Sequence, residues 1–187
     1  MAKPVIGVLA LQGAVDLHKP HIEGAGGEYR PVKTAAQFDA VDGFILPGGE
    51  STTMLKLIDV FGLWDSLKLN LSTKPVWGIC AGSILLAEKV TNPAQKSFGL
   101  LPLTVERNGY GPQIESHVEQ IENYPVSFIR APVFTNVGSD AKILAEHRDQ
   151  PVWIQKGQMM ASSFHPELTL DFPSPMHRKF VEMVKAA

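Results

Sequence analysis

The sequence predicts an α/β fold built on a mostly parallel central sheet, with an additional antiparallel β portion in the C-terminal half. Three observations carry this. The apolar runs Val5–Leu9, Gly43–Leu46 and Val76–Ile79 are continuous rather than alternating, the pattern of parallel strands covered on both faces. Segments of helical periodicity lie between them, so strand and helix alternate as in a doubly wound sheet. After Val90 the texture changes to short strand candidates separated by turn residues.

Taken in order, the first strand is broken by Gln12-Gly13. A helix is expected from about Ala14, with Pro20 kinking it or delaying its start, because proline lacks an N–H and clashes with the preceding turn. Glycines within 24–27 end it. Residues 28–32 read as a second, weaker strand and 34–40 as a short helix with Thr34 as its cap. The strand 43–46 runs into Pro47-Gly48-Gly49-Glu50-Ser51-Thr52. A helix follows from about Thr52 toward Phe61, and another covers 63–71. The strand 76–79 turns abruptly at Cys80 into an apolar helix, 83–87. Beyond Val90 the strand candidates are 103–107, 115–121, 126–130, 143–147, 151–155 and 159–164. A closing helix, 176–185, carries Phe180, Val181 and Val184 on one face.

The 187 residues suit one domain, 1–187, with a full core. A net charge of −2 gives no electrostatic case for nucleic acid or an anionic membrane surface. No apolar run approaches the roughly 20 residues of a membrane span. Met1-Ala2-Lys3-Pro4 runs straight into a strand, without the pattern of a signal peptide. The single cysteine excludes an internal disulfide and suits a reducing cytoplasm, the expected location.

That cysteine sits in Gly78-Ile79-Cys80-Ala81-Gly82, the thiol counterpart of a nucleophile elbow. A nucleophile on a strand-to-helix turn occupies a strained backbone, so its neighbours must lack a Cβ. The helix N-terminus then favours thiolate. The competing reading is an inert core thiol, the common fate of a lone cysteine. Ser163-Phe164-His165-Pro166-Glu167 supplies a base and an acid. Proline pushes His165 to extended geometry, where residues two apart face one side, so Glu167 can orient the imidazole. A turn histidine beside a solvated glutamate is the alternative. The loop from Pro47 to Thr52 can aim bare N–H groups at an anion, or be a plain turn, and it lacks the lysine of a nucleotide-binding loop. His18 and His21 share a helix face but read as a surface pair without a third metal ligand; His117, His147 and His177 carry no signal.

The elbow and His165-Pro166-Glu167, in this order and separation, resemble class I glutamine amidotransferases. Leu11-Gln12-Gly13-Ala14, Leu46-Pro47-Gly48-Gly49-Glu50-Ser51-Thr52-Thr53, Val105-Glu106-Arg107-Asn108 and Phe128-Ile129-Arg130-Ala131-Pro132 narrow the resemblance to the glutaminase subunits of pyridoxal 5′-phosphate synthases. These motifs span nearly the whole chain; Pro20, Ser83 and Gly109-Tyr110-Gly111-Pro112 depart from the pattern.

The resemblance implies a three-layer, flavodoxin-like class I glutamine amidotransferase fold. It implies hydrolysis of L-glutamine to glutamate and ammonia through a γ-glutamyl thioester, with the ammonia passed to a separate synthase subunit. Cys80, His165 and Glu167 would be the triad, and Gly49 and Ala81 the oxyanion hole. Gly49, Glu50, Ser51, Arg107, Ile129 and Arg130 would bind glutamine, and Gln12 and Gly13 would lie near the partner. No metal, nucleotide or prosthetic group would be needed. The alternatives are the glutaminase of another amidotransferase, a cysteine hydrolase or deglycase on a similar frame, and a non-catalytic binding subunit.

Overall fold

The structure, a computed structural model, describes residues 2–109 and 116–187. It begins with β1 (Val5–Leu9), a 3-10 turn over Asp16–His18, α1 (Lys19–Gly24), β2 (Glu28–Val32), α2 (Ala35–Asp39) and β3 (Gly43–Leu46). Next come α3 (Ser51–Val60), α4 (Trp64–Thr73), β4 (Val76–Ile79), α5 (Ala81–Leu86), β5 (Ala87–Thr91) and β6 (Leu101–Glu106). The remainder is β7 (His117–Ile121), β8 (Tyr124–Phe128), β9 (Val133–Thr135), β10 (Lys142–His147), β11 (Gln150–Lys156), β12 (Met159–Ser162), a 3-10 turn over Pro166–Leu168 and α6 (Pro175–Lys185).

Seven strands form the central sheet in the order β10-β11-β12-β4-β3-β1-β2. From β2 to β12 all neighbours are parallel; β11 and β10 extend the sheet antiparallel. Strand residues alternate between two cores. Phe44, Leu46 and Val76 join the side chains of α2, α3, α4 and α5 on one face, where Phe38, Met54, Ile58, Leu67 and Leu85 are buried. Ile6, Val8, Ile45, Trp77 and Ile79 face the other way, against Ile22 of α1, Phe180, Val181 and Val184 of α6, and the β7–β8 hairpin. The central strands read as unbroken apolar runs because each face has its own helical cover.

Several boundaries differ from those expected, each for a local reason. Pro20 occupies the first turn of α1, where a missing N–H costs nothing, so the helix starts at Lys19 instead of near Ala14. The helix after Cys80 starts at Ala81 and yields at Leu86 to β5, a strand absent from the sequence reading that pairs parallel with β6. The three-residue β9 was also unforeseen; it closes the small β5-β6-β9 sheet. The expected strand 126–130 lies at 124–128 instead, and Arg130 leaves it at φ 45°. The strand expected over 159–164 ends at Ser162. Glu115, at the start of another expected strand, and residues 110–112 of the Gly-Tyr-Gly-Pro segment lie outside the described residues.

Candidate active site

Cys80 follows β4 in the middle of the sheet and adopts φ 49°, ψ −104°, a conformation that costs a non-glycine residue on the order of 1–3 kcal/mol. The flanking glycines permit it by close packing. A Cβ on Gly78 would lie 2.5 Å from the Gly82 carbonyl oxygen, and one on Gly82 would lie 2.0 Å from the Leu46 carbonyl oxygen. The start of α5 therefore sits directly on β3 and β4. Ser83 Oγ donates to the Cys80 carbonyl at 2.6 Å and helps fix the turn.

β12 lies beside β4, so the chain leaving it returns to the same sheet edge. His165 is extended (φ −109°, ψ 97°), as its position before proline requires. Its backbone exchanges two hydrogen bonds with Ser127 of β8, at 2.8 and 3.2 Å. The expectation that Glu167 would share its side holds for a different reason. Glu167 reaches back from a 3-10 turn, not from an extended segment, and its Oε1 meets His165 Nδ1 at 2.7 Å. Nδ1 is thereby engaged, which leaves Nε2 for the side-chain hydrogen bond to Cys80.

Burial alone would lower the His165 pKa, but the hydrogen bonds and charges of Cys80 and Glu167 overcome it and raise the value to about 10. Burial would likewise raise that of Glu167; the hydrogen bond from His165 and the influence of His18 and His165 bring it below the usual carboxylate value. The ring is thus held protonated, with its carboxylate partner charged.

A cleft of about 760 Å³ opens over these groups at the carboxyl edge of the parallel strands. Every anticipated glutamine, oxyanion or partner residue lines it: Gln12, Gly13, Gly49, Glu50, Ser51, Ala81, Arg107, Ile129 and Arg130, with Cys80 and His165 at its base. Glu167 stands behind His165, outside the cleft wall. Gly48 of the glycine loop, Ala14, Asn108 and Leu168 beside the expected site residues, and Ile84 of α5, which carried no site expectation, complete the lining. Two hydrogen bonds tie the Gln12 loop to the glycine loop: Glu50 N–H donates to Gln12 Oε1 at 2.8 Å, and Ala14 N–H donates to the Gly48 carbonyl at 3.0 Å. Arg130 Nη1 stands 3.9 Å from Glu50 Oε1 across the mouth, both side chains more than half exposed.

The reading of His18 and His21 as a surface pair is overturned: both are fully buried, together with His177. Ser174 Oγ accepts from the His177 backbone N–H at 3.1 Å and is hydrogen-bonded to His177 Nδ1 at 2.6 Å. His177 Nε2 and His18 Nδ1 share a hydrogen bond at 2.8 Å. His21 Nδ1 accepts from the Ser174 N–H at 3.0 Å. Burial keeps these rings neutral, lowering the His18 pKa to about 4 and that of His177 well below its ordinary value. They are a structural support beneath the acid, made by packing α6 on α1.

The chain matches the SNO glutamine amidotransferase family model over residues 8–186. It is 45% identical over 193 residues to the pyridoxal 5′-phosphate synthase subunit PdxT of Streptomyces coelicolor, covering 98% of this chain and 95% of that one. To PdxT of Solibacter usitatus it is 43% identical, with 89% and 93% covered. A crystal structure of a glutamine amidotransferase, 39% identical, superposes with a TM-score of 0.85 over 96% of this chain and 98% of the other. A glutamine amidotransferase from Thermotoga maritima, 16% identical with a TM-score of 0.58 over 100% and 84% of the two chains, shares the fold. With the family model spanning nearly all its length, this chain belongs to the SNO glutamine amidotransferase family.

Proposed function

We propose that this chain is the glutaminase subunit of a pyridoxal 5′-phosphate synthase, hydrolysing L-glutamine and passing ammonia to a separate synthase subunit. The observation that carries the reading is the line Cys80–His165–Glu167 at the base of the cleft, with His165 Nδ1 held 2.7 Å from Glu167. Its relatives carry that subunit name at 43–45% identity.

In this reading the Cys80 sulfur attacks the side-chain amide carbon of glutamine and forms a C–S bond as the carbonyl becomes an oxyanion. Collapse breaks the C–N bond, and the His165 proton leaves with ammonia. His165 then takes a proton from water, which attacks the γ-glutamyl thioester and releases glutamate. Glu167 holds the tautomer and the charge of the ring. Ala81, the first residue of α5, has an N–H with no intrahelical acceptor and is one donor for the oxyanion. The Gly49 N–H is the other. The exposed Glu50–Arg130 pair is worth little to the fold and is free to exchange partners, Glu50 taking the substrate ammonium and Arg130 and Arg107 its carboxylate.

The Gln12 loop is the route by which a partner reaches the chemistry. Because Ala14 and Gln12 grip the Gly48–Glu50 loop through two hydrogen bonds, docking at Gln12-Gly13 biases which way the Gly48–Gly49 peptide points. Such coupling is typically about 1–3 kcal/mol, a roughly 5- to 150-fold effect. A glutamine-like diazoketone tests the assignment: it should add one label per chain, on Cys80. Labelling elsewhere, or none in the presence of the synthase subunit, overturns it.

A further inference from the structure

On the inward face of the β7–β8 hairpin, which also carries Val126 and Phe128, His117 and Glu119 lie two residues apart on β7. β10, the edge strand of the central sheet, ends at His147 against them. His117 Nε2 and His147 Nε2 are 3.4 Å apart, and Glu119 Oε1 is 4.0 Å from the first and 3.9 Å from the second. Donors about 2.0–2.2 Å from a tetrahedral zinc ion stand roughly 3.3–3.6 Å from one another, so this triangle closes on such an ion with a shift of about half an ångström in the glutamate.

We propose that His117, His147 and Glu119 form a binding site for a divalent transition-metal ion of the zinc class, with water in the fourth position. Two imidazoles and one carboxylate suit zinc and its neighbours, not magnesium or calcium, which seek oxygen. The site is also built. Phe128 lies under both rings, stacked on His117 at 5.1 Å and 3° and tilted to His147 at 5.0 Å and 31°, which limits how either imidazole can turn. All three ligands are half-buried, leaving an entry path from solvent.

An ion here would join the hairpin to the central sheet. Ser127, adjacent to Phe128, holds the His165 backbone through two hydrogen bonds, and Ile129 and Arg130 continue into the cleft wall. The metal would therefore stiffen the wall that carries His165, from outside the reaction itself. The inference stands on the ligand geometry and does not depend on the proposed activity.

Zinc chloride titrated calorimetrically into the full chain carrying Cys80→Ser, which removes the thiol as a rival ligand, tests it. One ion per chain is expected. Glu119→Gln should weaken binding by at least about 10-fold, since even partners outside the ligand set are worth that much. His147→Gln should remove saturable binding. Zinc should also slow hydrogen exchange of the β7–β8 amides, and magnesium should not. Absence of saturable zinc binding, or binding that neither Glu119→Gln nor His147→Gln weakens, overturns the site; Glu119→Gln alters one partly exposed side chain and leaves the core intact. Zinc binding at this site without slower exchange overturns the stiffening.

Discussion

Gly48 lies against the imidazole of His165, and adding one methyl there should cost activity out of proportion to its size. A Cβ at Gly48 would stand 2.3 Å from His165 Cε1 and 2.9 Å from Nδ1, whereas ordinary contact begins at 3.4 Å. The glycine cannot retreat easily, because its carbonyl accepts from Ala14 N–H at 3.0 Å. The ring must therefore move by roughly 1.1 Å, which disturbs its 2.7 Å contact with Glu167 and its hydrogen bond to Cys80. A displacement of about 1 Å can reduce turnover on the order of 10²-fold, equivalent to about 2.7 kcal/mol of transition-state stabilisation. Glutamine hydrolysis by Gly48→Ala in complex with the synthase subunit measures this, and a thermal melt confirms that the variant folds. A folded Gly48→Ala enzyme within a few-fold of the original rate would refute the reasoning.

His165→Asn should abolish glutamine turnover, whereas Glu167→Gln should keep a weaker but measurable rate, because the orienting group contributes less than the base it orients. Equal loss in both, with folding intact, would give the acid a larger role. Gly49→Ala should lower the partner-activated rate while leaving partner binding largely unchanged, since its Cβ would meet Gln12 Oε1 at 2.4 Å and disturb the oxyanion loop; unchanged activation would exclude that loop as the switch. Stability should peak near neutral pH. Unfolded His18 takes up a proton near pH 6.5 that the folded state refuses until about pH 4, so His18 alone removes about 2 kcal/mol by pH 5, and His21 and His177 act in the same direction. His165 does the reverse: the stability its proton confers is complete below pH 6.5 and lost as pH rises toward about 10. Urea midpoints at pH 5, 7 and 9.5 check both arms, and a flat profile contradicts them.

Buried parallel strands and the tight elbow were the most legible parts of this chain, because each leaves a local mark. Val5–Leu9 and Val76–Ile79 are apolar throughout since both faces are covered, and Gly78 and Gly82 are glycine since backbone passes within contact of both. β5 left no such mark. Its Glu88 and Lys89 are exposed, and what makes Ala87–Thr91 a strand is pairing with β6, which local periodicity does not encode. Proximity of His165 to Glu167 was foreseeable, but the turn that creates it was not. The buried histidines were misread for a similar reason. Helical spacing relates His18 to His21, while their burial comes from Ser174 and His177, more than 150 residues along the chain. His117 and His147 likewise meet only because the hairpin packs on the edge of the central sheet. Arg107 and Arg130 came from the motif resemblance; neither position is marked by its local pattern.

Ammonia released from L-glutamine by the chain assembled with its synthase subunit, compared between the original sequence and Cys80→Ala, tests the central claim most directly. The account predicts one glutamate per ammonia from the original chain, with a γ-glutamyl adduct on Cys80 under rapid quench, and background release from Cys80→Ala. Full release by Cys80→Ala, or none by the assembled original chain, would contradict it.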